Sequence, residues 1–301
     1  MRFNKLDLNL LVALDALLTE CNISRAGERV HLSQPAMSNA LSRLRAYFGD
    51  ELLVPVGRQM ELTPRAEVLK EAVRDVLVRI ETSVAAQPQF DCRNSDRVFK
   101  LFVSDYSMEV LIPHALALAD AMGSQVKLHL RPQVFNPAKT LERGEADLLV
   151  IPSEFCSAEH PHRVLFDDDL VCVVWNQSTH ARQGISIQSY ASAGHVAMQP
   201  IESPEPVFER WIQDCIGTPR QVRAAAFSFA VLPFMVVGSE LIATVHERQA
   251  RLVEAALPLK RLPVPFPMPQ IHQAMQWHKY RSLDPGLIWL RDLMVEAASR
   301  M

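Results

Sequence analysis

The stretch Leu32–Arg45, LSQPAMSNALSRLR, lies inside a window that contains no acidic residue between Arg29 and Gly49. Apolar residues recur in this window at spacings of four, three and four, at Met37, Leu41, Leu44 and Phe48. This spacing predicts an α-helix with one buried face. Ser33 can cap its start, and Pro35 is tolerated in the first turn. The window therefore predicts a helix whose other face is polar and free of negative charge.

The polar face of this helix has the composition that DNA recognition requires. It carries short hydrogen-bonding groups near the start and arginines further along: Gln34, Ser38, Asn39, Ser42, Arg43 at the flank, and Arg45. A helix in the major groove needs small side chains at base edges and cations at phosphates, whereas an acid would be repelled. A solvated amphipathic helix is the alternative. The preceding short helix, the tight turn at His31 and a following hairpin with Arg58 at its tip favour a winged helix-turn-helix.

Length and charge limit the remaining classes of protein. The chain has 301 residues, enough for two or three domains, and its net charge of -3 means that any DNA-binding surface must be local. Acidic residues interrupt the apolar N-terminal stretch, which argues against a signal peptide, and no apolar run approaches the roughly 20 residues of a membrane span. The five cysteines are widely spaced, as is typical of reduced thiols. We therefore expect a cytoplasmic protein without membrane contact.

The rest of the chain predicts a long helix followed by an α/β region. Pro64 opens a helix in which Leu69, Val73, Val76 and Ile80 have the spacing of a coiled-coil seam. From Arg97, apolar strands such as RVFKLFVSD, QVKLHL and ADLLVI alternate with helices, for example over 109–121, and the alternation resumes after Phe166. Two such halves would enclose a cleft at the carboxyl ends of their strands.

These motifs resemble a known family. SRAGERVHLSQPAMSNALSRLRAYFGDELLV…LTPRAE resembles the amino-terminal signature of LysR-type transcriptional regulators. LDLNLLVALDALLTE and WHKYRSLDPGLIWLRDLM are similar to the subgroup that includes nodulation activators and the salicylate and nitroaromatic regulators. The resemblance implies an α/β chain with an all-α-type N-terminal part: a winged helix-turn-helix domain (1–63), a linker or dimerisation helix (64–88) and an effector domain like periplasmic binding proteins (92–301). Its lobe 1 would span about 92–165 plus 270–301, and its lobe 2 about 166–269.

The resemblance also assigns DNA-contact roles. Ser33, Gln34, Pro35, Ser38 and Asn39 match the start of the recognition helix, Arg43 matches a backbone-contact position, and Arg65 matches the basic residue that opens the linker helix. Our own analysis of the pattern adds Ser42 and Arg58. Gly27 is a departure, because the family usually has Ala there. A mid-helix Gly costs roughly 1 kcal/mol relative to Ala, but it can permit a closer helix contact.

Candidate effector contacts lie in the α/β region. The first strand-to-helix turn carries Ser104, Asp105, Tyr106 and Met108, which would point into the cleft and hold a ligand oxygen and ring; a capped helix start with a core Tyr is the alternative. His195 resembles a pocket His of the salicylate-type regulators. Asp169 stands where those regulators carry a His, so a neutral or phenolic aromatic suits the cleft better than a carboxylate.

Three aromatic residues are further candidates for the lining of the cleft: Phe155, Phe229 and Trp277. Aromatic residues at such positions are more often part of the core. His160-Pro161-His162 lacks further ligands at a useful spacing, so we expect no metal and no cofactor.

We therefore expect a regulator that binds double-stranded promoter DNA and, on binding a small aromatic effector, activates genes of phenolic or chlorinated aromatic metabolism. By resemblance it would form homodimers that assemble into homotetramers, with RNA polymerase as a further partner. A flavonoid-like or non-aromatic effector, or a non-regulatory two-lobed binding protein, is the alternative. An enzyme is disfavoured because no phosphate-binding Gly-rich loop, nucleophile elbow or His-Glu-x-x-His motif is present.

Overall fold

The computed structural model describes residues 8–57, 59–83, 89–134, 136–199 and 207–301. The chain divides into an N-terminal unit (1–88 with 142–145) and a C-terminal unit (89–141 with 146–301). Within the described ranges, no helix is long and apolar enough to cross a membrane.

The N-terminal unit consists of helices and one antiparallel hairpin. Its elements are α1 (Leu8–Glu20), α2 (Ile23–Arg29), α3 (Gln34–Phe48), β1 (Leu53–Val56), β2 (Gln59–Leu62) and α4 (Pro64–Ser83). The short polar residues before α2 and α3 act as caps, because the Asn22 and Ser33 side chains accept from the amides of Arg25 and Ala36. The predicted apolar face of α3 is buried in one core with Leu14, Leu17 and Leu18 of α1. The helix-turn-helix order thus follows directly from capping and apolar spacing.

Gly27 permits a close approach between α2 and the turn that follows it. The Leu32 amide donates to the Gly27 carbonyl oxygen at 2.8 Å. A Cβ atom at position 27 would lie 2.7 Å from the Leu32 carbonyl oxygen, which is too close for an unaltered backbone. The closer helix contact that the sequence allowed at this position is therefore present, and it sets the tight turn into α3.

The apolar residues of α4 are divided between two faces. Val73 is buried in the core shared with α1, and Leu69 and Leu77 pack against that core. Val76 and Val68 remain 43% and 75% exposed. The predicted single seam is therefore wrong in one respect: Val73 covers the apolar face of α1 within the same chain.

The C-terminal unit contains two five-stranded sheets, and we call each sheet with its helices a lobe. Lobe 1 has the strand order β4-β3-β5-β12-β6, in which β3 is parallel to β4 and β5 while β12 is antiparallel to β5 and β6. Its elements are β3 (Val98–Val103), α5 (Asp105–Val110), α6 (Ile112–Ala121), β4 (Lys127–Arg131), α7 (Pro137–Glu142), β5 (Leu148–Pro152), β6 (His162–Asp168), β12 (Ile271–Gln276) and α13 (Pro285–Ser299).

Lobe 2 has the strand order β11-β7-β10-β8-β9, in which β8 is parallel to β9 and β10 while β7 is antiparallel to β10 and β11. Its elements are β7 (Leu170–Trp175), α8 (Thr179–Gln183), α9 (Ile187–Ser192), β8 (Gly194–Met198), α10 (Val207–Ile216), β9 (Gln221–Ala226), α11 (Leu232–Val236), β10 (Ile242–His246), α12 (Glu247–Glu254) and β11 (Leu259–Pro263). The chain passes between lobes at Asp169 and again between β11 and β12. The carboxyl ends of the parallel strands of both lobes therefore border the junction.

An ionic cluster fixes the start of α13 to lobe 1. The Asp284 carboxylate caps the helix by accepting from the amides of Gly286 and Leu287 at 3.0 and 3.1 Å. It also accepts a bidentate pair from Arg97 at 2.6 and 2.7 Å, and Arg281 donates to it at 3.2 Å. This one buried carboxylate thus joins the chain before β3 to the last helix.

We predict that Asp284→Ala lowers the free energy of unfolding of the C-terminal unit by about 3 kcal/mol, because it leaves the partly buried Arg97 guanidinium and two helix-start amides without their acceptor. Arg281 keeps its second partner, Asp147. Chemical denaturation of the two variants and the wild type measures this. Asp292→Ala, at an exposed position of the same helix, is the matched control and should change the value by less than about 0.5 kcal/mol. Equal effects of the two substitutions would contradict the assignment.

The same carboxylate predicts a pH dependence. Burial alone would raise the pKa of Asp284, but the hydrogen bonds and charge of Arg97, with the charge of Arg281, hold it at about 2. A carboxyl group whose pKa is lower in the folded state stabilises the fold fully at a pH above its unfolded-state pKa of about 3.9. This stabilisation is lost as the pH falls through the folded-state pKa. The stability difference between wild type and Asp284→Asn should therefore shrink from pH 5 to pH 2. A difference that stays constant over this range in urea denaturation would contradict the prediction.

Candidate DNA-binding surface and effector cleft

Helix α3 presents its predicted polar face to solvent. Its first turn begins with Gln34 and Pro35 after the Ser33 cap, whose hydroxyl accepts from the Ala36 amide at 3.4 Å. The side chains on the outer face are all exposed: Gln34, Ser38, Asn39, Ser42 and Arg43. Met37, Ala40, Leu41 and Leu44 are buried on the opposite face. The arrangement can place hydrogen-bonding groups against base edges without bringing an acid of the helix near phosphate.

Arg45 differs from its expected place on this polar face. Its guanidinium donates to the carbonyl oxygens of Glu51 and Leu53 at 2.8 Å, and it pairs with the Glu51 carboxylate at 3.1 Å. Arg45 therefore fixes the start of the hairpin to α3, because the chain that leaves the end of α3 passes within hydrogen-bond distance of the Arg45 side chain. Helical spacing alone could not reveal this contact, since it depends on the path of the following turn.

The other two basic candidates lie beyond α3. Arg58 lies outside the described residues, between the exposed residues Gly57 and Gln59 of the hairpin turn. Gly57 has a φ of 62°, which a two-residue hairpin turn requires and glycine adopts without strain. Arg65 is exposed on the first turn of α4, where a cation can reach a phosphate. Both positions remain predictions as contact residues.

In the C-terminal unit, lobe 1 reaches lobe 2 through the start of α5. The Asp105 carboxylate accepts from the Ser228 hydroxyl at 2.7 Å and from the Ala230 amide at 2.9 Å. One turn later, the Gln249 side-chain amide donates to Glu109 at 2.9 Å. Burial raises the pKa of Glu109, and the negative charge of Asp105 raises it further. Two acids of one short helix therefore bridge the lobes.

Ser104 caps α5 rather than pointing freely into the cleft. Its hydroxyl accepts from the Ser107 amide at 3.0 Å and lies 3.0 Å from the Ser107 hydroxyl. Ser104 stays half-buried at the carboxyl end of β3. The turn predicted from sequence is therefore a capped helix start whose next residue, Asp105, makes the contact across the lobes.

Tyr106 belongs to the core between the lobes, which corrects its expected role as a pocket wall. Its side chain is fully buried, and its ring stacks on His246 at 3.7 Å between centroids and 9° between planes. Its hydroxyl donates to the buried Asp168 carboxylate. Burial raises the pKa of the Tyr106 phenol, and the neighbouring carboxylate adds to the effect. Because its ring and hydroxyl are both occupied by the protein, the alternative of a core Tyr is the correct one.

Asp168, and not Asp169, is the acid that is buried at the junction. Asp169 is exposed, and its carbonyl oxygen accepts from the Glu247 amide at 2.8 Å. The buried Asp168 accepts from Tyr106 and from the amides of Asp169 and Arg248. Burial raises the pKa of Asp168, although these hydrogen bonds act in the opposite direction. The run Asp167-Asp168-Asp169 gave no means of choosing between neighbours, because strand alternation decides which one faces inward.

His195 lies in the interior of lobe 2, away from the interlobe bridge. It is fully buried at the amino end of β8, and its Nε2 donates to the Tyr190 carbonyl oxygen at 2.8 Å. Burial lowers the pKa of His195 to about 4, whereas the sequence suggested a value near neutrality. The expectation that it contacts ligand at a strand end is not supported by this position, since the junction lies at the carboxyl ends of the strands.

The remaining aromatic candidates are not brought together. Phe155 is exposed after β5, whereas Phe229 is buried and packs edge-on against His246 at 4.8 Å. Trp277 is buried, with its indole nitrogen donating to Ser282 and Arg291 over its ring at 4.3 Å. Met108 packs against the core that spans both lobes. These rings serve mainly as core, as the general preference of aromatic residues suggested.

One aromatic residue at the junction was missed by sequence reasoning. Phe227 directly follows β9 and is 69% exposed, next to Ser228, which contacts Asp105 of lobe 1. The alternating exposure along β9 would have found it only if the register of this strand had been known. Among the described residues, no group of three His, Cys, Asp or Glu side chains is placed to hold a metal ion.

Both parts of the chain match models of one family. Residues 8–67 match the bacterial regulatory helix-turn-helix protein of the lysR family, and residues 93–299 match the LysR substrate binding domain. The two matches together cover most of the chain.

Relatives with known names match over the full length. Nodulation protein D 1 of Rhizobium meliloti (strain 1021) is 40% identical over 301 residues, covering 100% of this chain and 98% of the relative. Nodulation protein D 2 of Rhizobium leguminosarum bv. phaseoli is 38% identical over 301 residues, covering 100% of this chain and 95% of the relative.

Solved structures show the same fold at lower identity. Full-length OxyR from Pseudomonas aeruginosa has a TM-score of 0.76 at 17% identity, with 97% of this chain and 94% of that chain covered. A probable transcriptional regulator from Pseudomonas aeruginosa has a TM-score of 0.66 at 24% identity, with 97% of each chain covered. The chain therefore belongs to the LysR family of bacterial transcriptional regulators, and it is a DNA-binding regulator rather than an enzyme.

Proposed function

We propose that this regulator reads its operator with the outer face of α3 and activates transcription when a small neutral or phenolic aromatic compound binds between the lobes. The exposed, acid-free face of α3 is the observation that carries the DNA-reading proposal. Ser33, Gln34, Pro35, Ser38, Asn39 and Ser42 would approach base edges, while Arg43, Arg58 and Arg65 would contact phosphates.

The charges at the lobe junction support the choice of effector. Asp105 and Glu109 bridge the lobes, and Asp167 and Asp169 are exposed at the first crossing. Acids in these places disfavour a carboxylate ligand and favour a neutral one. The exposed ring of Phe227 offers a stacking surface at the carboxyl end of β9. The proposed target genes, those of aromatic-compound metabolism, follow from this effector class.

The proposed assembly is a homodimer through α4 that pairs into a homotetramer and contacts RNA polymerase. Val68, Val76, Leu8 and Val12 are large apolar residues that remain exposed on α4 and α1. Exposed apolar side chains grouped on neighbouring helices are typical of an interface. A dimer would present two α3 helices to the two halves of a dyad-related operator.

We predict that Ser38→Glu abolishes specific operator binding, with a loss of at least about 100-fold, because a carboxylate in the groove is repelled by the backbone and replaces a base-edge contact. Fluorescence anisotropy with DNA from upstream of the protein's own gene, against a scrambled fragment at two salt concentrations, measures this. Gln188→Glu, an exposed substitution on α9 with the same charge change, should leave the affinity unaltered. Wild-type operator affinity in Ser38→Glu would refute the assignment of α3.

We predict that Phe227→Ala weakens binding of an aromatic effector by about tenfold, since the lost stacking surface is worth about 0.5–1.5 kcal/mol beyond area burial. Titration of the full-length wild type with phenols, chlorinated hydroquinones and flavonoids identifies the ligand. The same titration of Phe227→Ala gives the second dissociation constant for comparison. Phe234→Ala on α11, where the ring is 60% exposed, is the matched control and should have no effect. A flavonoid that binds while small phenols do not would replace the proposed effector by the alternative one.

A further inference from the structure

We infer that Asp105 determines the charge of the effector: its carboxylate, held by two donors of lobe 2, places a fixed negative charge at the cleft and so excludes anions from it. This inference rests on the proposed binding of an aromatic effector between the lobes. It assigns the selection of ligand charge to one side chain.

Two hydrogen-bond donors of lobe 2 hold the Asp105 carboxylate. The Ser228 hydroxyl and the Ala230 amide converge on one oxygen of Asp105, at 2.7 and 2.9 Å. Two donors on a single carboxylate oxygen form the kind of charge-assisted arrangement that proteins use to bind the oxyanion of a ligand. In this structure the protein supplies that oxyanion from its own opposite lobe.

An anionic ligand at these donors would be repelled by Asp105. A ligand carboxylate at Ser228 and Ala230 would have to displace Asp105, and Asp105 would remain tethered to α5 beside it with a like charge. Glu109 lies one turn further along the same helix and is held by Gln249. A neutral ligand that accepts or donates hydrogen bonds meets no such repulsion. Specificity of this kind uses a repulsive element rather than a better attractive contact.

Lobe 1 also carries a positive charge near the carboxyl ends of its strands. Arg131 ends β4 and is exposed, so lobe 1 also offers a cation near the carboxyl ends of its strands. That cation alone would favour an anionic ligand. The negative charge of Asp105, held in place by two donors, opposes that preference.

Asp105→Asn tests the inference with little change in shape, since the amide oxygen can still accept from Ser228 and Ala230. Salicylamide and salicylate serve as probes of nearly equal size that differ in charge. Isothermal titration of the full-length protein should show that wild type prefers salicylamide by at least about tenfold, and that Asp105→Asn binds salicylate at least about tenfold more tightly with salicylamide unchanged. Asp120→Asn, which removes one exposed charge from α6 of the same lobe, should keep the wild-type preference.

A preference that is unaltered in Asp105→Asn, or altered equally by Asp120→Asn, would overturn the inference and leave the aromatic effector in place. Binding of neither probe to wild type or Asp105→Asn would instead contradict a small phenolic effector, and with it the charge selection. The contact itself is tested without ligand by hydrogen exchange of the segment that contains Ala230. Exchange at that amide should accelerate at least about tenfold in Asp105→Ala and stay unchanged in Asp120→Ala, at an exposed position of α6. Unchanged exchange in Asp105→Ala would overturn the role of Asp105.

Discussion

The carboxylate of Asp168 organises the junction between the two lobes. It accepts hydrogen bonds from the Tyr106 hydroxyl and from the amides of Asp169 and Arg248, which belong to lobe 1, the crossing segment and lobe 2. A buried carboxylate without such donors would be strongly unfavourable, so its burial requires that all three elements be in place. The Tyr106 ring stacks on His246 while its hydroxyl donates to Asp168. These two contacts set how closely α5 can approach lobe 2. The bridge made by Asp105 depends on that approach.

Capping and periodicity predicted most of the N-terminal unit correctly. Ser33, Pro35 and the spacing from Met37 to Phe48 defined α3, because local chemistry alone determines where such a helix begins and which face is buried. Arg45 and Val73 were placed less well. The first binds carbonyl oxygens of the hairpin and the second covers α1, and both contacts depend on the path of distant chain segments that residue spacing does not encode.

The C-terminal unit shows where sequence reasoning ends. The strands LVCVVW and GHVAM were found because continuous apolar runs are typical of buried strands. Strand β6 and helix α12 were not found, because HRVLFDD and ERQARLVE are short and carry no long continuous apolar run. The helix predicted over 109–121 is divided into α5 and α6 at Leu111, and α5 begins earlier, at the Ser104 cap. That earlier start is what directs Asp105 toward lobe 2.

The candidate effector residues were predicted least well, for a related reason. A residue contacts a ligand when two lobes bring it to a shared surface, and that depends on sheet register and on the position of the crossing segments. His195 and Trp277 have the chemistry for ligand contact but lie in cores, whereas Phe227 and Ser228 reach the junction by following an edge strand. Neighbouring residues along an extended chain differ in exposure by alternation, so a shift of one position exchanges Asp168 for Asp169.

The bonds that join the lobes have the strength that a ligand-controlled switch requires. Asp105 and Glu109 are half-buried, so the three hydrogen bonds that they accept contribute about 0.5–1.5 kcal/mol each, and somewhat more where the acceptor is charged. Their sum is a few kcal/mol, comparable with the free-energy gap between two populated arrangements of the lobes. A ligand that exchanges even one of these bonds for its own can therefore change the population severalfold. The buried Tyr106 and Asp168 would keep their hydrogen bond in such a change, since its loss would leave the buried carboxylate with two amide donors alone.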